Sequence, residues 1–440
     1  MNAKSPKTIR PRERDTIIQA LSAGVVPRLG LPHIQVGRAG EIAALLRDID
    51  RIADGGASVR FVIGAYGAGK TFFAGIVRLI ALERKCVTMH ADLSPTRRIH
   101  ASSGQGRALY AEAVNNMATR NKPEGGALQS VIERLVTDAV KEAGDKNVAV
   151  EGVIDRKLEP IAQFAGGYDF GTVLKAYWRG SENSNDALKE NAIRWLRGEY
   201  STKTDARKDL GVRTIIDDEN IYDSLKSLAC LVRIAGYAGL VVIFDEMANI
   251  YKLQNAQARK QNYEQLLNIV NDCLQGTTSG IGFVMCGTPE FLLDTRRGVF
   301  SYEALQSRLA ENVFAGEGRV DFSGPVIRLQ SLTPEDLLVL LGNLRTVFAG
   351  GDPAKHLVPD EALTAFMAYC DRKIGEAYFR TPRSTVKAFV QMLSILEQNP
   401  GTKWQELLER VSIVPDAPDD VAESGENGEG DELTSLRLKS

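Results

Sequence analysis

Apolar positions along the chain follow two alternating patterns. Short β-rich apolar runs occur at 59–63, 86–91, 240–244, 281–286 and 326–329, and each reads as a strand. Between them apolar residues recur at helical spacing. Ile42, Leu45, Leu46, Ile49 and Ile52 share one helix face that ends at Gly55-Gly56, and Phe72, Phe73, Ile76, Val77 and Ile80 share another. Helices are also predicted over 15–23, stopping at Gly24 with Pro27 beyond, and over 221–235 and 263–274. Strands alternating with helices define an α/β class with a parallel sheet. The run Leu240, Val241, Val242, Ile243, Phe244 is continuously apolar, as a central parallel strand buried on both faces requires.

The alternation is interrupted once and then ends. From 94 to 219 only helical patterns are read, at 108–118, 128–143, 154–164 and 187–196, predicting a long helical insertion in a core made of 25–93 and 220–331. After Leu332 the chain is helical throughout. Thr333 caps a helix with Pro334 at its first position, and further helices are expected at 360–371, 383–397 and 404–410. These form a lid over 332–413. Residues 1–24 read as a basic arm and helix, and 414–440 as an acidic disordered tail.

Composition changes this picture little. The 440 residues are 44% hydrophobic and 25% charged, the profile of a globular chain of two or three domains. No apolar run approaches the roughly 20 residues that span a bilayer. No apolar stretch follows the basic N-terminus, so no secretory signal is read and a cytoplasmic location is expected. Net charge is −2, unevenly spread. The tail holds eight acids against two bases and the first fourteen residues five bases against one acid, leaving a near-neutral body without a nucleic-acid footprint. The five cysteines show no metal-ligand spacing.

Candidate chemistry begins where the first strand ends. Gly64, Ala65, Tyr66, Gly67, Ala68, Gly69, Lys70 and Thr71 fit G-x-x-x-x-G-K-[ST] between an apolar strand and an amphipathic helix. Glycines let successive backbone amides point inward at a phosphate, and the helix adds its positive end. Lys70 offers a cation to the β- and γ-phosphates and Thr71 a hydroxyl to Mg²⁺. Leu240 to Phe244 leads into Asp245-Glu246, with Asp245 expected in the magnesium shell and Glu246 positioned to deprotonate an attacking water. The second acid, and the lack of an N-K-x-D guanine reader, favour ATP over GTP.

Further candidates surround this pair. Thr288 follows the 281–286 strand as a candidate to hydrogen-bond the lytic water or the γ-phosphate, the alternative being an N-cap before Pro289, and the two roles are compatible. Arg308, with Arg296 and Arg297 competing, could reach the γ-phosphate of a neighbouring subunit, which implies a homo-oligomer. Arg383 opens a lid helix and could fold onto the γ-phosphate. Gly37 and Arg38, with Ile34 and Val36, are expected to line the adenine side.

In this order the parts resemble the AAA+ ATPases: Val36-Gly37-Arg38 with Glu41, the phosphate loop (Walker A), Asp245-Glu246 (Walker B), a polar strand tip, an arginine, and a helical segment bearing Arg383. The implied fold is a P-loop NTPase of AAA+ type, a three-layer parallel sheet with a helical insertion and a C-terminal lid. The chain further resembles the ATP-binding proteins of BREX bacteriophage-exclusion systems, the BrxD-like group. The segments that carry this include Gly24-Val-Val-Pro-Arg-Leu-Gly30, Ala91-Asp-Leu-Ser-Pro-Thr-Arg-Arg98 and Gly287-Thr-Pro-Glu-Phe-Leu292. That resemblance implies a hydrolase acting in antiviral defence, with DNA and other defence proteins as candidate partners and no membrane. Too little sequence follows Leu396 for the winged-helix domain of initiator-like relatives. An alternative is an ATP-gated adaptor with little hydrolysis that recruits partners through the insertion; a small-molecule kinase is a third, disfavoured by the Asp-Glu pair.

Overall fold

The computed structural model describes residues 9–315, 319–380, 382–408 and 410. Lys4 and Lys7 of the basic arm and the acidic tail over 414–440 lie outside the described residues. Five strands, β1 (Ala57–Ile63), β2 (Val87–Asp92), β3 (Leu240–Asp245), β4 (Ile281–Gly287) and β5 (Val326–Arg328), form one sheet in the order β2-β3-β4-β1-β5. Every pairing is parallel. The register aligns Asp92 with Asp245, and Ile63 with Gly287. The carboxyl ends of β1 to β4 therefore emerge along a single edge, where open α/β sheets bind ligands.

Side-chain alternation along the strands makes two cores. Val62, Val241, Ile243, Val284 and Cys286 face the helices Ala39–Ala53 and Lys70–Glu83, through Leu45, Ile49, Phe73 and Val77. Phe61, Ile63, Val242, Phe244, Phe283 and Met285 face the other way. Their partners come from Ile221–Ile234, from Ala256–Gln275, and from the helices between β2 and β3. Leu109, Tyr110, Val131, Leu135 and Trp195 of that intervening stretch are buried in the same cluster as the strands. The stretch thus shares one hydrophobic core with that face of the sheet.

Helices over 94–219 outnumber those read from the pattern. Gly167–Glu182 and Lys203–Leu210 were masked by their composition. Gly167 is there because a Cβ would sit 2.0 Å from the Ile161 carbonyl oxygen, a close approach that looks like a loop signal in sequence. Lys203–Leu210 buries only Ala206 and Leu210, too few positions to show a period. The first helix starts earlier than the pattern suggested, at Pro11, which occupies the N1 position it favours.

A third core lies beyond the sheet. Leu337, Leu341 and Leu344 of Pro334–Phe348, Phe366 of Asp360–Ile374, and Phe389 and Leu393 of Arg383–Gln398 pack together. Ile17 of Pro11–Ser22 and Ile34 join them, so the N-terminal helix is completed by the C-terminal helices.

Candidate functional site

The loop after β1 needs glycine at three positions, for two different reasons. Gly67 and Gly69 adopt φ of 76° and 83°, conformations that side chains disfavour. Gly64 is a packing position, since a Cβ would lie 3.2 Å from both Ala68 and Leu329. The Lys70–Glu83 helix begins from Gly69 without a side-chain cap, leaving its dipole unopposed at the loop. Lys70 Nζ donates to the carbonyls of Gly64 and Ala65, both at 3.0 Å, which holds the ammonium over the loop.

Thr71 Oγ1 donates to Asp245 Oδ2 at 2.8 Å, joining positions 174 residues apart. Asp245 is 2% exposed, and its other oxygen accepts the Glu246 amide at 2.8 Å. That contact accompanies a φ of 57° at Glu246, a left-handed conformation rare for a residue with a side chain. The turn swings the Glu246 carboxylate into the cleft beside Asp245. Desolvation first, then the charge of Asp245, hold the Glu246 carboxyl above its usual range, while Lys70 draws it down. Asp92, paired in register with Asp245, is raised for the same two reasons and is opposed by His90, whose Nε2 lies 3.3 Å away.

These groups open into one cavity of about 510 Å³. Its floor is the loop from Tyr66 to Thr71 with Asp92, Asp245 and Glu246; its apolar wall includes Val25, Val26, Ile34, Val36, Leu332 and Val386. Lys70 and the helix start suit an anionic group, the three acids suit a cation beside it, and the apolar wall suits a flat, weakly polar end. Arg38 lines the cavity, and its Nη2 donates to the Ala68 carbonyl at 3.0 Å, so it grips the phosphate loop as well as flanking the wall. Gly37 is not among the lining residues; it packs on Asp336, 3.3 Å from where a Cβ would stand. Arg383 lines the cavity from the C-terminal helices and donates through Nη1 to the Tyr66 hydroxyl at 3.1 Å.

The other candidates lie apart from it. Thr288 Oγ1 accepts the Phe291 amide at 3.4 Å as the N-cap of Pro289–Leu293, and it does not line the cavity. Arg308 donates to Asn271 Oδ1 at 2.6 Å and to the Ala304 carbonyl at 2.7 Å. Arg297 reaches the carbonyls of Tyr251 and Leu253, and Arg296 is exposed. None of the three lines the cavity of its own chain. Asp92 and the Val25-Val26 wall were missed by the sequence reading. Asp92 had a visible signal, an acid closing an apolar strand as Asp245 does, whereas the wall is assembled from distant segments and had none.

The donor set suits a hard cation. Thr71 Oγ1 and Asp245 Oδ2 are both oxygens, the kind Mg²⁺ accepts alongside substrate phosphates. His90, Asp92 and Asp245 also present ligand atoms within 4.8 Å of one another.

A five-stranded parallel sheet with a glycine loop entering a helix, and an acid pair at the facing strand tip, defines an α/β protein of P-loop NTPase-like fold. A model of the family BREX system ATP-binding protein BrxC/D matches residues 9–412, and the chain belongs to that family. Comparison with curated proteins finds no match. No helix among the described residues is long and apolar enough to cross a membrane.

Proposed function

We propose that the chain is an AAA+ ATPase that hydrolyses ATP with Mg²⁺ in this cavity, as a cytoplasmic machine or switch of BREX-type phage defence. The observation that carries the reading is the Thr71–Asp245 hydrogen bond at the phosphate loop. Accidental glycine turns have no reason to meet a buried acid from a distant strand. In this reading residues 25–93 and 220–331 form the nucleotide core, 94–219 an insertion, and 332–413 a lid.

Lys70 binds the β- and γ-phosphates, and the loop amides cradle the β-phosphate. Thr71 and Asp245 would hold a magnesium ion at the loop, where it would supply charge neutralisation to the phosphates. Glu246 takes a proton from the water that attacks the γ-phosphorus. The bond from that phosphorus to the bridging oxygen breaks, giving ADP and phosphate. The place of Glu246 in the cleft beside Asp245 puts its carboxylate where that water would stand. Arg383 senses the γ-phosphate from the lid. Arg308, or Arg296 or Arg297, serves a neighbouring copy in a homo-oligomer, since all three lie off the cavity of their own chain. Thr288 assists while capping its helix. Defence proteins and DNA are the partners in this reading.

Glu246→Gln should keep nucleotide affinity and lower turnover by about 10²–10⁴-fold, the range for a positioned base. Lys70→Ala should lose nucleotide binding. The assay is phosphate release without an added acceptor, beside nucleotide titration. Equal phosphate release by wild type and Glu246→Gln would remove the hydrolytic assignment.

A further inference from the structure

Arg383 joins three segments that are far apart in sequence. Its Nη1 donates to the Tyr66 hydroxyl at 3.1 Å, and its Nε donates to the Gly24 carbonyl at 2.7 Å. Tyr66 belongs to the phosphate loop and Gly24 to the turn after the first helix, and all three residues line the nucleotide cavity. Arg383 is also the first residue of Arg383–Gln398, whose Val386, Phe389, Val390 and Leu393 are buried in the C-terminal core.

Space at Gly24 is reserved for this contact. Gly24 has a φ of 74°, and a Cβ there would lie 3.3 Å from Arg383 Nε. Any side chain would meet both backbone strain and the guanidinium. An exposed arginine otherwise spreads over many rotamers, and its planar fork is immobilised when fixed acceptors meet two of its nitrogens. Gly24 supplies one acceptor from the backbone. Tyr66 supplies the other, at a loop position where the phosphate-binding pattern makes no demand on side-chain type. A phenylalanine would fill the same volume, so what the tyrosine adds is the hydroxyl.

We infer that Tyr66 is a positioning residue whose hydroxyl, with the Gly24 carbonyl, sets the Arg383 guanidinium at the triphosphate end of the loop, coupling the γ-phosphate to the helix Arg383–Gln398. The inference rests on the ATP-site reading above. It assigns to the loop a task beyond cradling phosphate, namely telling the C-terminal helices which nucleotide is bound.

The test is a double-mutant cycle on the full chain, reading the ratio of affinities for a slowly hydrolysed ATP analogue and for ADP. Arg383→Ala should cut the preference for the triphosphate by about tenfold, the scale of one charge-assisted hydrogen bond. Tyr66→Phe should cut it comparably, and the double variant should lose no more than Arg383→Ala alone. Gly24→Ala, which leaves the loop untouched, should show the same selective loss and supplies the cycle if Tyr66→Phe does not fold. An unchanged ratio in Tyr66→Phe, equal weakening of both nucleotides, or losses that multiply in the double variant would each overturn the inference. Lys70→Ala separates the two levels. If it still binds nucleotide, the ATP-site reading fails and takes this inference with it; if it does not and the cycle is multiplicative, only the positioning role is lost.

Discussion

Two aspartates on one helix offer a controlled measurement of what burial does to an ion pair. Asp48 and Asp50 both lie on Ala39–Ala53 and both pair with an arginine, at 2.5 Å to Arg60 and 2.6 Å to Arg84. Distance does not separate them; exposure does. The Asp48 and Arg60 side chains are 4% and 7% exposed, those of Asp50 and Arg84 47% and 50%. Arg60 sits on β1, the strand that feeds the phosphate loop, and its guanidinium contacts both Asp48 oxygens. Asp48→Ala leaves that cation buried and unpaired, which costs about 3–5 kcal/mol. Asp50→Ala releases an arginine that water solvates, which costs about 0–1 kcal/mol. Urea unfolding followed by far-UV circular dichroism should separate the two variants by roughly 3 kcal/mol. Combining Asp48→Leu with Arg60→Met should recover part of the loss by removing both charges. The pair of changes should not recover all of it, because Arg60 also donates to the part-buried carbonyls of Phe322 and Gly324, which would lose that donor. Losses for Asp48→Ala and Asp50→Ala that agree within about 1 kcal/mol would refute the argument from burial.

Two further predictions concern pH and assembly. Glu142 pairs with Lys146 on its own helix, Leu128–Lys146, and with Arg156 and Lys157 of Val150–Leu158, and hydrogen bonds from Lys146 and Lys157 lower its carboxyl from 4.5 to about 2. A depressed carboxyl stabilises the fold above its unfolded value and loses that effect as pH falls through the folded one. The melting temperature of Glu142→Gln should therefore fall below wild type at pH 7, and the gap should close between about pH 5 and pH 2; a pH-independent gap would refute it. Arg308→Ala should lower phosphate release while leaving nucleotide affinity unchanged. Doping it with the Lys70→Ala chain, which keeps Arg308, should restore part of the rate, and no restoration in mixed samples would count against an arginine supplied in trans.

What the residues alone determined was local. The G-x-x-x-x-G-K-T spacing carries its own geometry, because φ at Gly67 and Gly69 and the helix start at Lys70 are set within eight positions. The continuous apolar runs marked the strands for the same reason, since burial on both faces leaves no polar alternation to hide them. The order β2-β3-β4-β1-β5 was not legible, because pairing depends on which neighbours cover which face. Gly167–Glu182 was missed because its opening glycine answers to a carbonyl in another segment. Only the tertiary structure brought Thr71 to Asp245, Arg38 to Ala68, and Arg383 to Tyr66 and Gly24. Those contacts span from 30 to 359 positions of chain, and no periodicity or spacing reports on a distance that folding alone closes.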